Sequence, residues 1–378
     1  MIDSLKRWLR AGMVSAVLLL LALTLNIALE NSPAAAAPVT ADVLISRLPA
    51  GNPISDGKAL LRYALPIDNQ AVRKLQVALE DISTTLRVSR KRLSGINGNL
   101  TQAERILSRK AELLASVPSD RQPQAEVLIT EIGEGIAAIR ADVEAQDREA
   151  IWTKRSELLD KIGELEELMV TGFPYEVPAE YSNLPQLKGR ATIAFKTSKG
   201  DMKAVVDGYS APVTAGNFVD LVKRGFYDNL PFTRAEESYV LQVGDPPGPE
   251  VGFVDPDTGK YRAIPLEVLV KGDKEPTYGI TLEDAGRFLE QPVLPFSAYG
   301  ALALARPSSD PNGGSSQFFF FLFEPELTPA GANLLDGRYS IFGFVTEGKE
   351  VLEKLKAGDL IESAKVVDGL ENLVEPKA

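Results

Sequence analysis

The sequence predicts a multidomain chain of α + β class: an N-terminal helical bundle followed by a closed antiparallel β-barrel with flanking helices. Three observations predict it. Apolar residues recur at helical spacing from about residue 56 to 169, a Pro-rich connector occupies 171–187, and short β-type runs separated by turns follow. The 378-residue length and the 44% apolar content favour two domains, each able to bury a core.

The elements follow in chain order. Lys6, Arg7 and Arg10 precede an apolar run from Met13 to Leu29, and Ala34 to Ala37 come directly after it. This is the order of an export signal, with cleavage expected after Ala36. An uncleaved anchor is the other use for such a run, because its length is near the lower limit for spanning. A short helix is expected over Asp56 to Leu65. Val72, Leu75, Leu79, Ile82, Leu86, Leu93, Ile96 and Leu100 then form one long helical seam, which Gly95 to Gly98 could interrupt or end. A second helix is expected over Ile106 to Val117, stopped by Pro118. A third carries Ile129 to Val143, and a fourth Ile151 to Met169, with Arg155 snorkelling at its edge. A self-contained bundle over 37–170 accounts for the seam without the partner that a leucine zipper would need. The connector spans 171–187. After it, Ala191–Phe195 and Met202–Val206 flank a hairpin turn, and Ala211–Arg224 reads as a helix. Further β-type runs lie at Tyr239–Val243, Ala301–Ala305, Gln317–Phe323, Ser340–Val345 and Lys365–Val367, with a last helix over Lys349–Leu355 and a tail over 371–378.

Composition narrows the chemistry. The chain has no Cys and no His, and its net charge is −11. Disulfides, thiolate nucleophiles, His-ligated metals and imidazole general bases are therefore excluded. The acidic balance argues against nucleic acid as a partner. Asp255-Pro-Asp257-Thr-Gly259 places its glycine one position too early for a calcium loop and reads as a β-turn. Gly244 to Pro249 lacks the strand-to-helix context of a phosphate loop. No cofactor or metal is expected.

The second half carries a resemblance. Phe232-Thr-Arg234 with Tyr239-Val-Leu-Gln242-Val-Gly244-Asp245, then Ala301 to Ala305 with Gly314-Ser-Ser-Gln317-Phe318-Phe319, then Leu335-Asp-Gly-Arg338-Tyr339-Ser-Ile-Phe342-Gly343 stand in the order of three signatures. Together with Tyr209 to Phe218, they resemble the cyclophilin family of peptidyl-prolyl cis-trans isomerases over residues 188–370. The segment from Gly252 to Phe296 is an insertion relative to ordinary cyclophilins. With the exported helical front half, it resembles the large thylakoid-lumen cyclophilins of plants and cyanobacteria, in which a bundle similar to an extrinsic photosystem II subunit comes first. The resemblance implies proline-containing clients, photosystem II subunits among them, and a lumenal or periplasmic location. It assigns catalysis to Arg234 and Gln242, and substrate binding to Tyr239, Val240, Ala305, Arg306, Phe319, Leu335 and Tyr339. A surface ion pair with Glu236 or Glu237 is the other use for Arg234.

The reaction suits a chain without histidine. An unaided X–Pro bond isomerises across a barrier of about 20 kcal/mol, and a roughly 10⁵-fold acceleration needs about 7 kcal/mol of transition-state stabilisation. No bond is broken and no proton has to move; a cation directed at the proline nitrogen favours loss of amide resonance. The departures from the family pattern are Thr233 and Tyr339 where histidines are common, Tyr239 and Val240 for Phe and Met, and Leu334 for the cyclosporin-binding tryptophan. Arg306-Pro307 stands where the family reads Asn-Ala, and Pro307 removes a backbone donor beside the site. They imply weak or no cyclosporin binding and reduced or absent turnover. The alternative function is a non-catalytic chaperone that binds proline segments, with a degenerate pocket or one covered by the bundle.

Overall fold

The computed structural model describes residues 54–88, 92–256, 258–323 and 333–376. The leader expected over 1–36 lies outside them. Among the described residues no helix is long and apolar enough to cross a membrane.

The first helix, α1 (Gly57–Ala64), is capped by Asp56, whose carboxylate accepts the Lys58 N–H at 3.1 Å. α2 (Gln70–Glu80) is capped by Asn69, which also donates to the Leu113 carbonyl. The long seam over 72–100 is broken into α2, α3 (Ile82–Leu86), a 3₁₀ turn at Leu93–Ile96, where Gly95 offered an interruption, and α4 (Asn97–Leu107). The seam residues Val72, Leu75, Leu79, Ile82, Leu86, Leu93, Ile96 and Leu100 are nevertheless all buried in one core. Their spacing records a shared buried face, which a bent chain keeps as well as a straight one. The helix expected over Ile106–Val117 is also revised. Ile106 and Leu107 end α4, and a separate short α5 (Lys110–Leu114) follows the non-helical Arg109.

α6 (Gln122–Ala145) and α7 (Arg148–Glu167) match the third and fourth seams. Gln146, left-handed at φ 58°, reverses the chain between them, and Asp147 caps α7 through the Ala150 N–H at 2.9 Å. α2, α4, α6 and α7 pack as a four-helix ring. Arg155 does not snorkel. Its Nε and Nη2 donate to the carbonyls of Leu79 and Glu80, each at 2.9 Å, and so satisfy the C-terminal end of α2 inside the bundle.

The linker makes a 3₁₀ turn at Ala179–Tyr181 and then enters β1 (Gln186–Leu187), which pairs with β13 (Leu373–Val374). β2 (Arg190–Thr197) and β3 (Gly200–Asp207) form the expected hairpin around Ser198-Lys199. α8 (Pro212–Lys223) follows, with Pro212 in its first turn. The remaining strands are β4 (Leu230–Pro231), β5 (Arg234–Glu236), β6 (Val240–Val243), β7 (Glu267–Val268), β8 (Thr277–Tyr278), β9 (Ala301–Leu304), β10 (Phe318–Phe321), β11 (Ile341–Glu347) and β12 (Leu360–Asp368). The last helix, α9 (Lys349–Leu352), is a single turn rather than the seven residues expected.

The main sheet runs in the order β4-β12-β2-β3-β11-β9-β10-β6-β5, with every pairing antiparallel. Its two end strands are separated in sequence only by Phe232 and Thr233. Phe232 N–H donates to Asp359 O at 2.8 Å and Thr233 N–H to Gln242 O at 2.9 Å. One bent stretch of chain thus belongs to both ends of the order and closes the barrel.

Period-two alternation divides the strands between two cores. Phe318, Phe320, Leu241, Val243 and Leu302 point inward with Phe195, Phe218 and Phe342. Phe319, Phe321, Val240, Ala301 and Ala303 point outward, into a second cluster with Leu294 and Phe296 of the insertion and Leu60, Leu61 and Ala64 of α1. This explains why all four phenylalanines of β10 are buried.

Helix α1 lies between bundle and barrel, and the described residues of both belong to one compact unit. Arg73 caps its carboxyl end through the carbonyls of Arg62 and Leu65, and Arg62 pairs with Glu80 at 3.2 Å. From the barrel, Arg190 donates to the Leu61 carbonyl while its Nε holds Asp207 at 2.7 Å. Gly57 sits so close to β11 that a Cβ there would lie 2.7 Å from the Phe344 Cβ.

Candidate active site

Register places the site. Arg234 on β5 pairs with Gln242 on β6, Gln242 with Phe319 on β10, Phe319 with Ala303 on β9, and Ala303 with Ile341 on β11. Cross-strand partners share a face, so these five side chains form one row across the outside of the barrel. The next row on the same face is Glu236, Val240, Phe321 and Ala301. The tight turn at Ser238, with φ 56°, lets β5 and β6 reverse and sets both rows.

Along these rows the structure gathers the predicted residues. Phe319 is buried, with the Tyr339 ring edge-on to it at 5.4 Å and the Phe296 ring stacked parallel at 6.0 Å. Val240, Ala305, Leu335 and Tyr339 belong to the same apolar cluster. Tyr239 lies at its margin, more than one-third exposed, with its ring 6.0 Å from Phe321. Leu334 is 88% exposed and makes no wall.

Arg234 is half-exposed and paired with Glu236, its Nε 2.7 Å and its Nη2 2.5 Å from Oε1. Arg306 donates from Nε and Nη2 to the Arg338 carbonyl at 3.0 and 2.7 Å, and from Nη1 to the Pro307 carbonyl at 2.9 Å. Its guanidinium lies 5.2 Å from the Tyr339 ring centre.

Gln242 donates from Nε2 to Gln317 Oε1 at 2.7 Å. Gln317 in turn donates to Asp245 at 3.0 Å and to the Val251 carbonyl at 2.9 Å. Two acceptors on the Gln317 amide fix its orientation, which makes its oxygen the acceptor for Gln242. The Gln242 side-chain Oε1 is then left to receive a backbone N–H. Gly244 lets β6 leave the sheet just beyond, because at φ 100° a Cβ would meet the Ser316 carbonyl at 2.4 Å.

Sequence reasoning missed two contributors. Gln317 lies in the second motif, where the sequence alone gives it no role. Phe296 sits in the insertion, and its contact with Phe319 has no local signature. Asp336 sets it in place by accepting the Phe296 N–H at 2.7 Å and the Asn333 N–H at 3.1 Å; burial raises the pKa of this carboxyl.

The insertion is anchored at a second point. The buried Glu267 carboxylate accepts the Val213 and Thr214 N–H groups at 3.3 and 2.5 Å, capping α8, whose own N-cap Ala211 has no side chain for the task. Desolvation pushes its pKa up to about 7 against those two donors. Gly259 N–H donates to the Asp255 carbonyl at 2.7 Å, an i+4 bond that makes an α-turn where a β-turn is expected. Among the described residues no cluster of acidic side chains is arranged to hold a metal.

Comparison with known proteins adds the following. Residues 56–170 match the family model described as peptidyl-prolyl cis-trans isomerase CYP38-like, PsbQ-like domain. Residues 192–371 match that of the cyclophilin-type peptidyl-prolyl cis-trans isomerases. A putative thylakoid lumen peptidyl-prolyl cis-trans isomerase of Synechocystis is 54% identical over 98% of this chain and 96% of its own length. The chloroplastic isomerases CYP38 and CYP37 of Arabidopsis thaliana are 47% and 32% identical, over 92% and 85% of this chain and 81% and 71% of theirs.

Proposed function

The chain belongs to the CYP38-like, cyclophilin-type peptidyl-prolyl cis-trans isomerases, and from that premise we propose that it isomerises prolyl bonds in client proteins of the thylakoid lumen during folding or assembly. Photosystem II subunits are the clients we propose. The observation that carries the site assignment is the row Arg234–Gln242–Phe319, which sets a cation, an amide and an apolar wall side by side. A proline ring seated against Phe319, Val240, Leu335 and Tyr339 would have its flanking backbone held by Gln242. The Arg234 guanidinium would face the proline nitrogen as that nitrogen gains a lone pair and becomes pyramidal, and would stabilise the twisted amide. Tyr239 would close the rim. Arg234 must leave Glu236 to do this, and an exposed pair of this kind holds it by only about 0–1 kcal/mol.

A second reading, binding of proline segments without useful turnover, is favoured by one observation. Leu60, Leu61 and Ala64 of α1 share the apolar cluster that contains the wall residues. Timing the isomerisation of a proline test peptide with the full chain and with Arg234→Ala separates the readings. Catalysis predicts turnover that falls by roughly 100-fold or more in the variant. Equal rates would reject the role of Arg234. A peptide that binds without turnover would leave the second reading.

A further inference from the structure

We propose that the cleft beside the proline wall selects a carboxylate: an Asp or Glu of the client, about two residues from the isomerised proline, received by Arg306. The inference rests on the active-site reading above and adds a substrate class to it.

The cleft has a volume of about 200 Å³, and its lining includes Gln242, Gln317, Tyr261, Ser315, Pro307 and Arg306. Arg306 is the one charged residue in that lining. Neighbouring guanidinium groups are neutralised: Arg234 by Glu236, Arg338 by Glu283, and Arg262 by Asp220. Arg306 has no ion pair among the described residues; its acceptors there are the backbone carbonyls of Arg338, Pro307 and Ser308. Carbonyls hold a guanidinium in place without cancelling its charge. Nη2 carries two hydrogens and is bonded, among the described residues, to a single acceptor, so one donor remains for a ligand.

The side chain is also held before any ligand arrives, by bonds to two segments of the chain and by the face of Tyr339. Little rotamer freedom is left to lose on binding, which favours affinity.

Spacing sets the position of the acid. Ala303 is the partner of Phe319 on β9, and Ala305 lies two residues farther along the same strand direction, about 7 Å away. An extended client lying along this face covers that distance in about two residues. The whole chain, at −11, repels acidic ligands at long range, so the selection has to come from a local cation.

The test uses the full chain and short peptides with Glu, Gln or Lys placed two residues before or two residues after a single proline. Binding is measured by calorimetry, and exchange by NMR. At one of the two positions, Glu is expected to bind roughly fivefold more tightly than Gln at low salt, with Lys weaker than both. The ratio is expected to shrink at high salt and to approach one in Arg306→Gln. Because that variant also releases the Arg338 carbonyl, the Glu-to-Gln ratio and its salt dependence in the unaltered chain decide the question alone. Glu and Gln peptides that bind equally would overturn the carboxylate selection and leave the proline reading standing. Peptides that fail to bind in any form would overturn both.

Discussion

Glu236 restrains Arg234 from two residues along the same strand, and its removal is informative in a way that removal of Arg234 is not. Glu236→Gln keeps the size of the side chain and takes away the competing charge, so kcat/KM on a neutral proline peptide is expected to rise by roughly two- to fivefold. An unchanged or lower value in the same assay would mean that the pair positions Arg234 instead of withholding it. The sequence made this pairing legible because the two residues lie on one short strand. It also made Gln242 and Phe319 legible, through ordered motifs. Phe296 and Asp336 were not legible as a pair, because 40 residues separate them and only the folded insertion brings them together. Arg155 was misread for a related reason. Its place in the apolar seam is visible in the sequence, but the helix end that it satisfies belongs to a different element.

Among the elements, α1 shows how much depends on one missing side chain. Gly57→Ala would gain helix propensity worth about 1 kcal/mol and lose more, because the new Cβ would be forced against Phe344. Hydrogen exchange is expected to report faster opening of the α1 amides, with a stability loss of about 1–3 kcal/mol by denaturant unfolding. Unaltered exchange would mean that α1 shifts along β11 at little cost. Most of the bundle was readable from periodicity, since a seam of buried residues keeps its spacing through bends at residues 81 and 93–96. The bend at 93–96 was readable from Gly95, whereas the breaks at Asp81 and Arg109 were not, because they carry neither Pro nor Gly. The barrel strands were legible from alternation and motifs. The two-residue strands β1, β4, β7, β8 and β13 were too short to show any period.

For the whole molecule, Glu166, Glu267 and Asp336 are carboxyls that burial shifts in the same direction, and they contribute to the response to pH. Burial raises Glu166 to about 7 despite the Arg73 guanidinium 3.0 Å away, and it raises Glu267 to about 7 despite the α8 amides. In the unfolded chain both titrate near the ordinary 4.5. Between those values the folded chain keeps protons that the unfolded chain has released, so stability is greatest at the acidic end and is lost as pH rises towards 7. The thermal midpoint is expected to be roughly 5 °C higher at pH 5 than at pH 8, and Glu166→Gln and Glu267→Gln should each reduce that difference. A midpoint that falls on acidification would contradict the assignment. The seam of the barrel has a consequence for synthesis. Phe232 and Leu230 find their partners at Asp359 and Ile361, so roughly 130 residues must be made before the stretch that carries Arg234 can be fixed from both sides. Such long-range pairing is slow to form, and a nascent chain stopped short of residue 359 would present the β4 edge unpaired. The active-site strand is therefore among the last parts of the protein to be completed, after the chain has been delivered almost whole.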